Sequence, residues 1–422
     1  MRTVTSVFLL LAMIGSPCAT HGQGGYHIEL TLVGAQSGKV VMALQTTEQL
    51  VVVDSLPLFS NGSYRFQGSQ RLAPGQYTFI QNDRRLFNFL ISFEKDVHLQ
   101  FNVRIDNGRT TEITANGDEE NEAYIRFQRF IQDTNRKPNL TETDISNIDR
   151  YTDSLVRQYP NTLLAIIASN ISTPPLPQYM FLNDRRVLHT SILPIRIQSF
   201  FTNVVPPQPE FVIPQIDTIL TRCTDPYVKE WCGAFMLNYF LSSNIMGMEN
   251  AAIHIAKKYI NGEIKPPHSD LIAELNTYVS FNEHSLIGMP APELYLPNAE
   301  GRRTSLRNLD ARFVILLFYD EDCPVCREVM PEIDLTYRQF RSNNVKVYAV
   351  YTQDRYHAWR QYALSLNPEW ISVWDPDFSS RFHQLYNVTG TPKIYLLDQN
   401  KTIIARGVDP YVLQQILSYQ LN

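Results

Sequence analysis

Two cysteines two residues apart, in Cys323-Pro324-Val325-Cys326, have the spacing of a thiol–disulfide exchange centre. The pair follows a continuous apolar run, Phe313-Val314-Ile315-Leu316-Leu317-Phe318, of the kind that forms a strand buried on both faces. It opens a stretch patterned as a helix from Cys323 to Arg341. Cys323 therefore falls at a helix N-terminus, where unpaired N–H groups and the dipole favour a thiolate. Cys326 lies one turn inward, close enough to close a disulfide with it. A nucleophile and a resolving thiol are what exchange through a mixed disulfide requires. A plain structural disulfide is the blander reading of the pair. Half a zinc site is another, but it needs a second ligand pair, and no further C-x-x-C and no H-x-x-x-H occurs. No metal and no cofactor is expected.

Other candidate residues carry weaker signals. Cys223 and Cys232 flank Thr224-Asp225-Pro226-Tyr227 and are either a structural disulfide closing a helix–helix turn or two buried thiols. The nine His are scattered and read as surface or packing residues, and Met246-Gly247-Met248 as core. No G-x-S-x-G, P-loop or G-x-G-x-x-G occurs, so hydrolase and nucleotide readings have no support. The net charge of −5, from 37 Lys+Arg and 42 Asp+Glu, leaves no basic surplus for a phosphate backbone, so no nucleic acid is expected as a partner. With 44% hydrophobic and 19% charged residues, the 422-residue chain can fill several cores.

The elements that must position the pair fall into a multidomain order. Met1-Arg2, the apolar run Val7–Ile14 and the small and polar residues after it have the layout of a secretory signal peptide over residues 1–22. Cys18 could be a lipid-anchored first residue instead, though Pro17 directly before it speaks against that. Residues 26–116 alternate with period 2 and are punctuated by Asn61-Gly62 and Pro74-Gly75, which predicts an N-terminal β-sandwich. Residues 119–284 carry apolar residues three and four apart, with joints at Pro174-Pro175-Leu176-Pro177, Pro206-Pro207-Gln208-Pro209 and Pro266-Pro267, which predicts an all-α middle region. Helices are expected at Asn121–Gln132, Ile145–Gln158, Thr162–Asn170 and Tyr227–Asn244. In residues 287–422 strands and helices alternate, which predicts a C-terminal α/β domain. There a helix is expected at Tyr356–Leu366 and a hairpin from Lys393–Leu397 and Ile403–Val408.

The stretch Phe318-Tyr319-Asp320-Glu321-Asp322-Cys323-Pro324-Val325-Cys326-Arg327 resembles the active-site strand and helix of a thioredoxin-fold protein. Pro331 matches the proline that kinks that helix in the family, and Gly390-Thr391-Pro392 before Lys393–Leu397 matches the cis-proline loop that faces the disulfide. Gly288-Met289-Pro290-Ala291-Pro292-Glu293-Leu294 resembles the opening segment of the extracytoplasmic TlpA/ResA group of thiol–disulfide oxidoreductases. The upstream regions are similar to the modules of unassigned function that precede such domains in secreted Bacteroidetes proteins. The resemblance implies a thioredoxin fold, Cys323 as nucleophile, Cys326 as resolving thiol, and a cis Thr391–Pro392 bond in the groove that holds the substrate backbone. It implies disulfide-containing exported proteins as substrates, a membrane thiol reductase as electron donor, and a periplasmic or otherwise extracytoplasmic location. Membrane association would come only through a lipid anchor at Cys18.

The sequence departs from the family pattern in three places. Leu317 stands where thioredoxins carry a buried acid, and Val329 where the ResA type has a glutamate. Asp320, Glu321 and Asp322 directly precede the nucleophile. Read as a solvated turn they are inert; read as neighbours of the sulfur they oppose the thiolate by like-charge repulsion and cancel much of the helix effect. The second reading predicts a reducing pair, nearer the potential of thioredoxin (about −270 mV) than that of DsbA (about −120 mV). Two other functions compete. A peroxiredoxin-like peroxidase is suggested by Met289-Pro290-Ala291-Pro292, but that chemistry expects a Thr where Asp320 stands. A secreted or surface scaffold with a vestigial thioredoxin domain would account for the long non-catalytic portion.

Overall fold

The protein is described by a computed structural model covering residues 25–421 except 36–37, 58–61, 172–182, 263 and 265–268. The expected signal peptide, Cys18, Asn61 and the joints at 174–177 and 266–267 lie outside the described residues.

Alternation in the N-terminal stretch becomes eight strands: β1 (Tyr26–Val33), β2 (Val40–Gln45), β3 (Leu50–Leu56), β4 (Ser63–Gly68), β5 (Gly75–Gln81), β6 (Arg84–Ile91), β7 (Val97–Asp106) and β8 (Arg109–Asn116). They form two four-stranded sheets, β4-β1-β7-β8 and β3-β2-β5-β6. Pairing is antiparallel throughout except between β1 and β7, which run parallel. Inward residues of both sheets fill one core: Ile28, Leu30, Phe66 and Phe101 from the first meet Met42, Phe79 and Phe89 from the second. This is a β-sandwich.

Among the described residues eight α-helices follow: α1 (Glu119–Asn135), α2 (Glu142–Gln158), α3 (Leu163–Ser169), α4 (Ile192–Asn203), α5 (Pro209–Arg222), α6 (Pro226–Leu241), α7 (Met248–Ile255) and α8 (Ser269–Asn282). Asp118, Thr141 and Thr162 cap the first three with their side-chain oxygens, so orphan N–H groups of each first turn are satisfied.

The C-terminal third opens with a short hairpin of β9 (Tyr295–Pro297) and β10 (Arg303–Ser305). A five-stranded sheet then forms in the order β13-β12-β11-β14-β15 from β11 (Phe313–Tyr319), β12 (Val345–Tyr351), β13 (Ile371–Trp374), β14 (Lys393–Leu397) and β15 (Ile403–Arg406). β11, β12 and β13 run parallel, whereas β14 and β15 are antiparallel. Helices α9 (Pro324–Phe340), α10 (Tyr356–Ala363), α11 (Phe382–Leu385) and α12 (Pro410–Leu421) complete it. Every residue of β11 is buried because the sheet is covered on both faces. Phe313, Ile315, Leu317 and Tyr319 enter one core with Met330, Ile333 and Leu413. Val314, Leu316 and Phe318 enter the other with Leu294, Phe382 and Tyr386. Two cores on opposite faces of a mixed sheet are the architecture of a thioredoxin fold.

The described chain falls into two compact units. One comprises residues up to Pro206 with Pro214–Met236, the other Pro207–Ile213 with everything from Leu237 onward. The helical stretch is thus shared between the sandwich unit and the α/β unit instead of standing alone. In the first unit, Asn121 of α1 bonds both the N–H and the C=O of Leu90 in β6, at 2.7 and 2.9 Å. In the second, the Arg406 guanidinium in β15 donates to Asn282 Oδ1 of α8 at 2.6 Å, and Asn250 of α7 donates to the Ile287 carbonyl at 2.8 Å. Among the described residues no helix is long and apolar enough to cross a membrane.

Candidate active site

The strand-to-helix junction places the cysteines. Cys323 is the N-cap of α9 in extended conformation and Pro324 occupies the first turn, where its missing N–H costs nothing. The Cys326 N–H donates to Cys323 Sγ at 3.2 Å, the bond a capping oxygen would accept. Cys323 remains partly exposed, while Cys326, one turn inward, is 0% exposed. The pair is present as thiols. Pro331 sits inside α9 as expected.

The loop before β14 closes the site from the other side. The Thr391–Pro392 peptide is cis. The Cys323 thiol donates to the Thr391 carbonyl at 3.2 Å, so sequence-distant residues meet at the sulfur. The opening segment lies along β15, through Gly288 N–H to the Ile403 carbonyl and Ala291 N–H to the Lys401 carbonyl, both at 2.8 Å.

The two sulfurs differ in acidity. Burial works against a Cys323 thiolate. Hydrogen bonds from the Cys326 thiol, the Thr391 side chain and the Cys326 and Val325 N–H groups outweigh it, so this thiol lies below its ordinary value. Burial, reinforced by the neighbouring Cys323, pushes the Cys326 thiol up to about 12. One sulfur is set up as nucleophile and the other as a protonated, shielded partner. Leu317 is fully buried on the cysteine face of the sheet, in the core that also holds Cys326.

The acid-rich turn is neither of the two things the sequence suggested. It is not a solvated loop, because the Glu321 side chain is only 12% exposed. Nor is the Cys323 thiol held above its ordinary value, and Arg355 pairs with all three acids. Its guanidinium lies 2.5 Å from Asp322 Oδ2, 2.9 Å from Glu321 Oε1 and 3.4 Å from Asp320 Oδ1. Gln353 donates to Asp320 Oδ2 at 2.9 Å and is itself held by the Trp374 indole N–H on its carbonyl at 2.7 Å. The three carboxylates come within 4.8 Å of one another, but the arginine fills the space a cation would take.

Sequence reasoning missed Arg355, Gln353 and Tyr362, which packs beside the cysteines from α10. A usable signal existed. β11 and β12 are parallel with Tyr319 opposite Tyr351, so residues just past the two strand ends must lie side by side. Asp320–Asp322 and Thr352–Arg355 are those residues. Elsewhere, Cys223 and Cys232 are two buried, unbonded thiols.

Fold and site together define the C-terminal third as a thioredoxin-like oxidoreductase domain, similar to the ResA proteins. Residues 287–406 match the AhpC/TSA family, and residues 26–124 match a domain of unknown function, DUF4369. The chain is similar to the thiol–disulfide oxidoreductase ResA of Bacillus cereus, 20% identical over 138 residues that cover 32% of this chain and 78% of that protein. It is 25% identical to ResA of Bacillus subtilis over 117 residues, 28% of this chain and 64% of the relative. Among solved structures it is similar to a thioredoxin-like protein from Bacteroides caccae (18% identity, 58% of this chain and 97% of that one, TM-score 0.43). The thioredoxin domain of a thiol–disulfide oxidoreductase from Bacteroides vulgatus is 24% identical over 32% of this chain and 98% of that one, with a TM-score of 0.31.

Proposed function

We propose that the protein is an exported thiol–disulfide oxidoreductase that reduces disulfides of other exported proteins through the Cys323/Cys326 dithiol. The observation that carries this reading is the asymmetry of the pair: an accessible sulfur with lowered pKa stands against a buried one pushed up to about 12. The Cys323 thiolate attacks a substrate disulfide, expelling one substrate sulfur as a thiolate that takes up a proton. Cys326 then attacks Cys323 in the mixed disulfide, loses its proton, and releases the second substrate thiol. The substrate gains two electrons and two protons, and the Cys323–Cys326 disulfide forms. Thr391 and Pro392 border the sulfur and hold the substrate backbone against it. A membrane thiol reductase would return the electrons. The signal-peptide layout of residues 1–22 supports a reaction outside the cytoplasm, with a lipid at Cys18 as the means of any attachment.

Direction follows from what stabilises the thiolate. The hydrogen bonds that lower the Cys323 pKa come from neutral donors alone, and the Thr391 carbonyl accepts from the protonated form. A strong oxidant is one whose reduced form is strongly favoured. Equilibration against dithiothreitol and glutathione tests the reading: a potential below about −180 mV, the value typical of protein disulfide isomerase, is expected. A higher value makes the protein an oxidant or isomerase. Peroxide consumption faster than insulin reduction would favour the peroxidase alternative.

A further inference from the structure

We propose that Arg355 sets the acidity and potential of the site, by holding the charge of Asp320, Glu321 and Asp322 away from Cys323. The inference rests on Cys323 being the nucleophile and adds the residue that tunes it.

Three consecutive carboxylates end directly at the reacting residue, and their turn is tied to it: the Cys323 N–H donates to the Asp320 carbonyl at 3.3 Å, and the Asp322 N–H to Asp320 Oδ1 at 2.9 Å. Left uncompensated, like charges on the residues directly preceding the nucleophile disfavour a thiolate. Of the groups facing this corner, Arg355 alone reaches all three carboxylates, at 2.5, 2.9 and 3.4 Å. From α9, Arg327 reaches only the Asp322 carbonyl, at 3.4 Å. From α10 comes Tyr362, whose phenol is pushed up first by burial and then by Cys326. From the loop before β14 comes Thr391, a neutral acceptor of the thiol proton. Arg355 is a positioning residue. It touches the acids and not the sulfur, and it fixes where their charge points. Because Asp322 is 68% exposed and Glu321 is 12% exposed, the clamp matters most where water screens least, at Glu321.

The test is a thermodynamic cycle on the full-length reduced protein, with thiolate absorbance followed against pH and the potential measured in parallel. Arg355→Gln is expected to raise the Cys323 pKa by about one unit, a roughly tenfold loss of thiolate at a given pH. It should also make the pair more reducing by up to about 30 mV, the equivalent of that tenfold change for two electrons. Arg355→Lys, which keeps the cation, should recover at least half of the shift. In a background carrying Asp320→Asn, Glu321→Gln and Asp322→Asn, Arg355→Gln should leave the pKa where it is. Glu321→Gln alone should leave the Cys323 pKa nearly unchanged, because Arg355 already holds that charge, and serves as the readout should Arg355→Gln fail to fold. An unchanged pKa in Arg355→Gln, an equal rise in the neutral background, no recovery with Lys, or a fall of about one unit in Glu321→Gln overturns the proposal. Brief alkylation of the same samples separates the two levels. First labelling of Cys326 would strike the assignment of Cys323 as nucleophile, whereas the cycle measures the coupling regardless.

Discussion

The two thiols of the site sit in environments a few ångströms apart that push them in opposite directions. At neutral pH, brief alkylation of the reduced protein should label Cys323 first, and mass mapping should find Cys326 modified only slowly, because burial holds its thiol at about 12. Preferential label on Cys326 would reverse their roles. Much of this was legible in the sequence. The spacing of the pair, the apolar strand before it and the Gly390-Thr391-Pro392 loop all appear in the arrangement expected of them. The state of the acids was not legible. Asp322 and Arg355 are 33 residues apart, and nothing in either segment alone says that they touch. Their meeting depends on the register of two parallel strands, and a long-range pairing of that kind leaves no local trace in composition or periodicity.

Among the elements, α2 offers the clearest pH signature. Its capping box is complete: Thr141 accepts from the Asp144 N–H, and Asp144 accepts from the Thr141 N–H, with Lys137 pairing to the same carboxylate. The Lys137 pairing and then the two bonds to Thr141 hold Asp144 down at about 2, below its ordinary 3.8. A depressed folded-state pKa contributes stability that is present above the unfolded value and lost as pH falls through the folded one. Hydrogen-exchange protection in the first turn of α2 should therefore decline between about pH 4 and pH 2, the window set by those two values. Asp144→Asn should remove the step, and an identical pH profile in that variant would show that another group drives it. The apolar spacing placed this helix at Ile145, but it begins at Glu142. The missing turn consists of polar residues that make a cap, and a search for buried faces passes over them. Helix α10 erred the other way, stopping at Ala363 where its pattern continued to Leu366.

For the molecule as a whole, the informative departure is the sharing of the helical stretch between two units. The chain passes between the units at Pro206–Pro207, in one of the proline joints, at Ile213–Pro214 within α5, and at Met236–Leu237 within α6. Trp231, Cys232, Met236, Leu237 and Phe240 of α6 are all buried, so no polar linker marks the last of these changes. Boundaries read from composition need such a linker, and none is there. The helices from Leu237 onward are part of what keeps the α/β unit folded. Arg406 is 6% exposed, and its guanidinium donates to Asn282 Oδ1 at 2.6 Å. The same Asn282 oxygen receives the Asn387 amide at 2.8 Å. Asn282→Leu strands a buried cation and should cost about 1.5–3 kcal/mol, the worth of a hydrogen bond to a charged group. Urea unfolding of the full chain measures it, and a loss under about 0.5 kcal/mol, the scale of an ordinary surface change, would mean that water replaces the asparagine. By the same reasoning, a fragment beginning at residue 287 should unfold at lower urea than one beginning at 237.

The central position of β11 also bears on the order in which the chain assembles. Its partner on one side, β12, arrives after a single helix, whereas on the other side Leu316 must wait for Tyr395. Closing the shorter loop costs less entropy, so β11, α9 and β12 can associate while the rest of the domain is still loose. With the short stretch that follows β12, that early unit already carries both cysteines, the acids and Arg355, but not Thr391. During that interval the nucleophile has its helix end and its clamp without the loop that later covers it, and it is open to any oxidant present. Pulse alkylation during refolding should find Cys323 reacting faster at early times than in the native state. Equal reactivity throughout would mean that the β14 side closes together with the rest.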